Sequence, residues 1–414
     1  MKRMFCCLLL ALCLSHFCIG QTLMETGGQK MPNEWIDKDT HHKLVRLTDT
    51  SRSNLSFYFH NDPFVGNEMV FYSSARSSPA DITVTKQETY NSNSKDKQLY
   101  AVDLTTKKMT PLTHEVSPMG GEIVARTGNV YYQVKDSVYR TNIHTKQTTL
   151  LFVFPADYKG SITTVNADET LLAGAKASDE QKEVYRKNPE KKDYFNLIFE
   201  AHLPNDLFTI EIATKKLAKI HTENTWLGHV QFSPTDPDIL MFCHEGPWHL
   251  VDRIWTINVK TKEATLRHKR TMDMEIAGHE FPSPDGKKIW FDLQMPKGQT
   301  FFLGSVDLQT GKEEKISLER NEWSIHFAVS ADQKLFAGDG GDPGQVAKAP
   351  DGRWIYLFKR EGDHFVSQKL VNMKNHNYRL EPNVHFSPDG KWIIFRANFE
   401  GDSQVYAVEI AQHG

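Results

Sequence analysis

The chain has 414 residues, a formal net charge of −3, a pI near 6.7 and 39% hydrophobic residues. That balance offers no general basic surface for nucleic acid, and a mean hydropathy of −0.50 suits a globular protein rather than a set of membrane spans. The length suffices for one large domain or two modest ones.

Residues 1–20 read as a secretory signal peptide: Met1-Lys2-Arg3 precedes the apolar run MFCCLLLALCLSHFCIG. The run falls short of the roughly 20 apolar residues of a membrane anchor, so the expectation is an exported, periplasmic protein without a membrane span. Lipidation at Cys18 is disfavoured by the bulky His16-Phe17 before it. Four of the five cysteines lie in this segment, which leaves Cys243 as a single packed thiol without a disulfide partner.

Residues 21–414 read as one domain built of repeats. HKLVRLTD comes first and resembles the outer-strand segment KKMTPLTH found further on. Then two patterns alternate. One is an Asp- or Gly-containing turn leading into a hydrophobic strand, as in SPTDPDILMF, SPDGKKIWFDL, SADQKLFAGD and SPDGKWIIFRA. The other is a strand, a polar turn and a strand, as in VYRTNIHTKQTTLLF, LFTIEIATKKLAKIH and IWTINVKTKEATLRH. Period-two alternation broken by such turns signals β-hairpins, and serial units of short strands indicate an all-β propeller. Blades begin near Ser56, Gly121, Ser161, Gly228, Gly278, Ser324 and Pro382, which predicts seven. The last unit ends at VYAVEI without an outer strand; HKLVRLTD would supply it and close the ring, leaving no open sheet edge. The segment ASDEQKEVYRKNPEKKDYFNLIFEAHLPND interrupts the third blade; it predicts a short helix, as a solvated insertion or a lid beside the site.

Aligning the blades on the Ser or Asn that opens each turn places His229, His279, His326 and Asn383 at one position, four residues earlier; the third blade has Ile162 there. Equivalent inner-strand positions face the propeller axis at one height, so these polar groups converge on a funnel. In LEPNVH, Glu381 and His385 flank Asn383 at two-residue spacing and share its face. His326, Glu381 and Asn383 would then offer an imidazole, a carboxylate and an amide oxygen to a divalent cation, a mixed N/O set that suits manganese. FCHEGPWHLVDRIW, from Phe242 to Trp255, brings His249 and Arg253 toward the funnel from the side, while His244 and Glu245 read as groups that hold the corner together. His229 and His249 are the candidates for substrate binding.

The order LGHVQFSP, FCHEGPWHLVDRIW, GHEF with its Pro-Asp-Gly turn, IHFAVSADQKLFAGDGGD and SPDGKWIIFRANFEG resembles the oligogalacturonate lyase family of pectin degradation. The resemblance implies a seven-bladed propeller that cleaves short, often unsaturated, galacturonides by manganese-assisted β-elimination. It places the catalytic base on His279, the catalytic arginine on Arg253 and the first metal histidine on His326. The family's remaining ligands, a glutamine and two histidines, correspond to Tyr378, Glu381 and Asn383 here, with His376 or His385 as candidates for the glutamine's place. The family's best-known members are cytoplasmic, unlike a chain with an export signal. Two other readings keep the fold but change the function: a uronate-binding propeller without catalysis, and a lyase for another uronic-acid oligosaccharide.

Overall fold

The computed structural model describes residues 22–76, 96–114 and 119–412. The expected signal segment 1–20 and its Cys18 lie outside the described residues. Seven antiparallel blades follow one another around an axis, and their innermost strands begin at Ser53, Met119, Ser161, Leu227, Ile276, Phe327 and His385. The expected blade starts fall within a few residues of these. A parallel bridge, Ser317 with His364, joins the outer edges of the fifth and sixth blades.

The ring closes as the missing outer strand requires. His42–Arg46 pairs antiparallel with the last strand, Asp402–Gln412, setting Leu44 opposite Val408 and Val45 opposite Ala407. Two further strands, Glu34–Asp37 and Leu23–Met24, extend this sheet outward, an addition that the repeat pattern did not announce. Trp35 anchors them: it is fully buried, and its indole N–H donates to Thr26 Oγ1 at 2.9 Å.

The Ser-Pro-Asp-Gly turns recur because each does the same local work. Ser283 Oγ donates to Asp285 Oδ1 and accepts the Lys288 N–H, with Gly286 at φ +68°. Ser387, Asp389 and Trp392 repeat the arrangement, with Gly390 at the same φ. Glycine adopts this left-handed geometry without a Cβ clash. Between blades, apolar side chains such as Trp290 and Phe336 interlock, with ring centroids 5.0 Å apart.

The insertion in the third blade forms two helices, α1 (Asp179–Lys187) and α2 (Lys191–Ala201). Ser178 caps α1 by accepting the Gln181 N–H, and acidic residues open the helix while basic ones close it, which suits its dipole. The pair packs beside the fourth blade. Tyr185, Tyr194 and Phe195 meet Trp226 edge-on, and a Cβ at Gly246 would come within 2.6 Å of the Phe199 ring. The insertion therefore abuts the loop that carries Glu245 and Trp248.

Candidate functional site

The aligned residues gain their direction from bulges. Pairing between the first two strands slips after Gly228 in the fourth blade and after Gly278 in the fifth. His229 and His279 sit in these slips at φ +47° and +48°, and Asn383 adopts +53° just before the last inner strand. Non-glycine residues in this region are strained, and bulges re-aim side chains beside functional sites. The result is a tight cluster: the rings of His279 and His326 lie 4.9 Å apart, and Phe59 from the first blade stacks on His326 at 4.6 Å.

His279 Nδ1 lies 3.1 Å from Asp292 Oδ1, and Asp292 is almost wholly buried. An ionised carboxylate only accepts, so the ring donates from Nδ1 and keeps the Nε2 lone pair for a proton. Burial opposes a charged imidazole here, but Asp292, helped by Glu381, outweighs it and raises the His279 pKa above the ordinary value. His326 repeats the pattern one blade on. Its Nδ1 is 2.8 Å from Asp339 Oδ2, while its buried Nε2 has no hydrogen-bond partner and lies 3.8 Å from Glu381 Oε2. Burial holds His326 well below the ordinary imidazole range, in the neutral form that ligates metals. Burial also lifts the Asp339 carboxyl to about 7, against the backbone N–H groups of His326 and Asn383 that it accepts.

Arg253 is buried at the fourth blade's edge of the cluster. Its Nη2 pairs with Glu245 at 2.5 Å and its Nε donates to Glu280 at 2.9 Å; the Glu280 side chain is fully buried. His229 lies between the two carboxylates, 3.5 Å from each. Burial would raise the Glu245 pKa, but Arg253 and then His229 overcome it and bring the value down to about 2. Glu280 is lowered for the same reasons. Cys243 beside them is buried, and burial pushes its thiol pKa far up, which makes it inert.

The structure thus gathers His229, Arg253, His279, His326 and Glu381. Asn383 joins them with its amide already committed: Oδ1 accepts the Phe59 N–H at 2.9 Å and Nδ2 donates to the Glu381 carbonyl. His376 and His385 each have both ring nitrogens hydrogen-bonded to backbone groups. Tyr378 is buried and donates to the Asp339 carbonyl. His244 pairs with Glu223 and stacks on Trp255 at 4.7 Å. At the corner, Trp248 rather than His249 packs on His279, with ring centroids 5.6 Å apart, while the His249 carbonyl accepts from Arg270. A cavity of about 630 Å³ lies further along the inner strands, lined by Gln231, Phe281, Phe327 and His385, with Phe59 on its wall. The catalytic candidates do not line it, so their convergence and not this cavity locates the site.

Sequence reasoning missed Asp292, Asp339, Glu280 and Trp248. A signal for the first two existed: each lies 13 residues after its histidine, the spacing that sets the second strand's end against the first strand's start.

Imidazole and carboxylate donors at His326 and Glu381 fit a divalent cation: one lone pair is buried without a partner, and a carboxylate stands beside it. Asp339 behind His326 completes the carboxylate–histidine arrangement that orients metal ligands.

A family model described as oligogalacturonate lyase matches residues 90–413. Among characterised relatives, the oligogalacturonate lyase of Dickeya dadantii (strain 3937) is 28% identical over 389 residues, covering 86% of this chain and 97% of the relative. The oligogalacturonide lyase of Pectobacterium atrosepticum is 25% identical over 387 residues, covering 86% and 96%. A solved oligogalacturonate lyase in complex with manganese is similar in fold, with a TM-score of 0.74 at 22% identity over 94% of this chain and 99% of that one. The oligogalacturonate lyase of Vibrio parahaemolyticus gives the same TM-score and identity over 92% and 96%.

Proposed function

The chain belongs to the oligogalacturonate lyase family, and we propose that it cleaves short galacturonides by metal-assisted β-elimination, with His279 as the base and Arg253 beside the reacting unit. The observation that carries this reading is the His279–Asp292 pair at 3.1 Å, with its ring centroid 4.9 Å from that of a second imidazole, His326, whose Nε2 is buried without a hydrogen-bond partner. His326 and Glu381 would hold manganese, while Asn383 braces the Phe59 backbone and the Glu381 carbonyl behind them. When bound, the ion supplies fixed positive charge beside the uronate carboxylate and acts as a Lewis acid.

The rest of the chemistry belongs to the chain. The proton on C5 leaves to His279 Nε2, its electron pair forms the C4–C5 double bond, and the glycosidic oxygen departs from C4 with the bonding pair and takes up a proton from solvent. Asp292 fixes the tautomer that leaves Nε2 free and strengthens the base. Arg253 Nη1 is the guanidinium nitrogen without a partner, and it faces charge that develops on the carboxylate. His229 holds the Glu245 and Glu280 carboxylates apart and keeps Arg253 in place. We also propose that the protein acts after export, on the strength of its first 20 residues.

The test is His279→Ala assayed for the ultraviolet absorbance of the unsaturated product. A lost general base lowers the rate by about 10²–10⁴, while folding and substrate binding persist. A variant with near-wild-type rates removes His279 from the role.

A further inference from the structure

Arg253 enters the site with part of its guanidinium already committed. Its Nε and Nη2 already serve Glu280 and Glu245, at 2.9 and 2.5 Å, which leaves one buried prong, Nη1, without a partner. A second donor in the same state stands beside it. Trp248 Nε1 is buried without a hydrogen-bond partner, and the indole ring centroid lies 5.9 Å from the Arg253 guanidinium carbon and 5.6 Å from the His279 ring. A buried donor left unpaired bears its whole desolvation penalty, so two of them on adjoining groups mark a place where an acceptor from outside completes the site. The loop that carries Trp248 is fixed from two sides. Phe199 of α2 closes on Gly246, and the Glu245 N–H donates to the Trp226 carbonyl at 2.8 Å.

We propose that Trp248 Nε1 and Arg253 Nη1 together form the receptor for the carboxylate of the uronate unit whose C5 proton His279 removes. This rests on the lyase reading. A carboxylate offers two oxygens with about four lone-pair sites, so one oxygen accepts from the indole and the other from the guanidinium, with lone pairs left for a cation at His326 and Glu381. The contact with the His279 ring puts the receptor next to the base, as the one-bond separation of C5 from its carboxylate demands. Trp248 is then a substrate-binding residue, and it accounts for an indole in a corner that a plain hydrophobic residue would pack as well.

Trp248→Phe keeps an aromatic ring against His279 and Arg253 and removes the N–H. With manganese supplied, kcat/KM on an oligogalacturonide free acid is expected to fall about ten- to hundredfold, the weight of one hydrogen bond to a charged group. On the methyl ester of the same oligosaccharide, the ratio of variant to wild type should stay within about threefold, because the ester lacks the anionic acceptor. Equal rates on the free acid, or equal losses on acid and ester, overturn the receptor. Calorimetric binding of the free-acid oligomer in a His279→Ala background separates this from the lyase reading. If the wild-type chain forms no unsaturated product, that reading falls, yet a ten- to hundredfold weaker binding by the Trp248→Phe form still upholds the receptor, and unchanged binding refutes it.

Discussion

Replacing Arg253 by Met keeps a long stem of similar length but withdraws the guanidinium that pairs with Glu245 and Glu280. The side chains of Arg253 and Glu280 are 2% and 0% exposed, and that of Glu245 is 11%. Breaking a buried pair leaves an uncompensated charge and costs about 3–5 kcal/mol. The Glu245 carboxyl gives a separate measure. Its fall from 4.5 to about 2 corresponds to roughly 3 kcal/mol of stability at neutral pH, and Glu280 adds in the same direction. A carboxyl depressed in the folded state contributes fully above the unfolded value of 4.5 and loses that contribution as pH falls through about 2. The deficit of Arg253→Met should therefore shrink, to roughly 2 kcal/mol at pH 3.5 for Glu245 alone. Urea unfolding of wild type and variant at pH 7 and pH 3.5 measures both. A variant within about 1 kcal/mol of wild type at pH 7, well below the broken-pair range, or a deficit that does not change with pH, refutes the reasoning.

Asp292→Asn should move the acid limb of the kcat/KM profile to lower pH, because Asp292 is what raises His279 above 6.5 and only the neutral ring is a base. It should also lower the plateau, since a weaker base transfers the proton less readily; a limb that does not move removes Asp292 as the cause. His326→Ala should bind less than a tenth of the manganese held by wild type when both are purified without chelator and measured by elemental analysis, because a lost ligand weakens affinity by more than an outer-sphere partner's 10- to 100-fold; equal metal content moves the ion elsewhere. N-terminal sequencing of protein secreted by an export-competent host should begin near Gln21, and a mature protein that starts at Met1 rejects the signal.

The fold was open to reading because each blade repeats its turn chemistry. Ser283, Ser330 and Ser387 each donate to an Asp two residues on, and that requirement shows in the sequence as Ser-x-Asp before the second strand of the fifth, sixth and seventh blades. The closing strand His42–Arg46 was legible for a related reason: a last blade without an outer strand demands a partner. The aligned histidines could be read from the same register. The partner of Arg253 could not, because Arg253 meets Glu280 across 27 residues and a blade boundary, where no local period operates. At the corner it is Trp248 that packs on His279, a placement the sequence did not indicate, since a loop has no period to fix which side chain faces inward. Asn383 sits at the ligand position of the alignment, and its Oδ1 also accepts the Phe59 N–H from the first blade, a contact that no repeat announces.

The charges of the site explain why its arginine is insufficient by itself. Glu245 and Glu280 pair with the Arg253 guanidinium, while Asp292, Glu381 and Asp339, its carboxyl lifted to about 7, stand beside the two histidines. Arg396 adds a second buried guanidinium behind the Glu381 carbonyl, so with neutral histidines the carboxylates still outnumber the guanidiniums. Arg253 is neutralised by its own neighbours, and its value lies in direction: the two glutamates hold Nη1 at one place in a dry setting, where a single hydrogen bond counts for more than in water. Net attraction for a polyanion must then come from a separate cation, and surplus carboxylate next to the open Nε2 of His326 is the environment that retains one. An acidic pocket and an acidic substrate are compatible on that condition, and the condition itself separates catalysis from mere binding. A propeller built only to hold uronates would do better with unpaired lysines or arginines than with an arginine caged by two carboxylates.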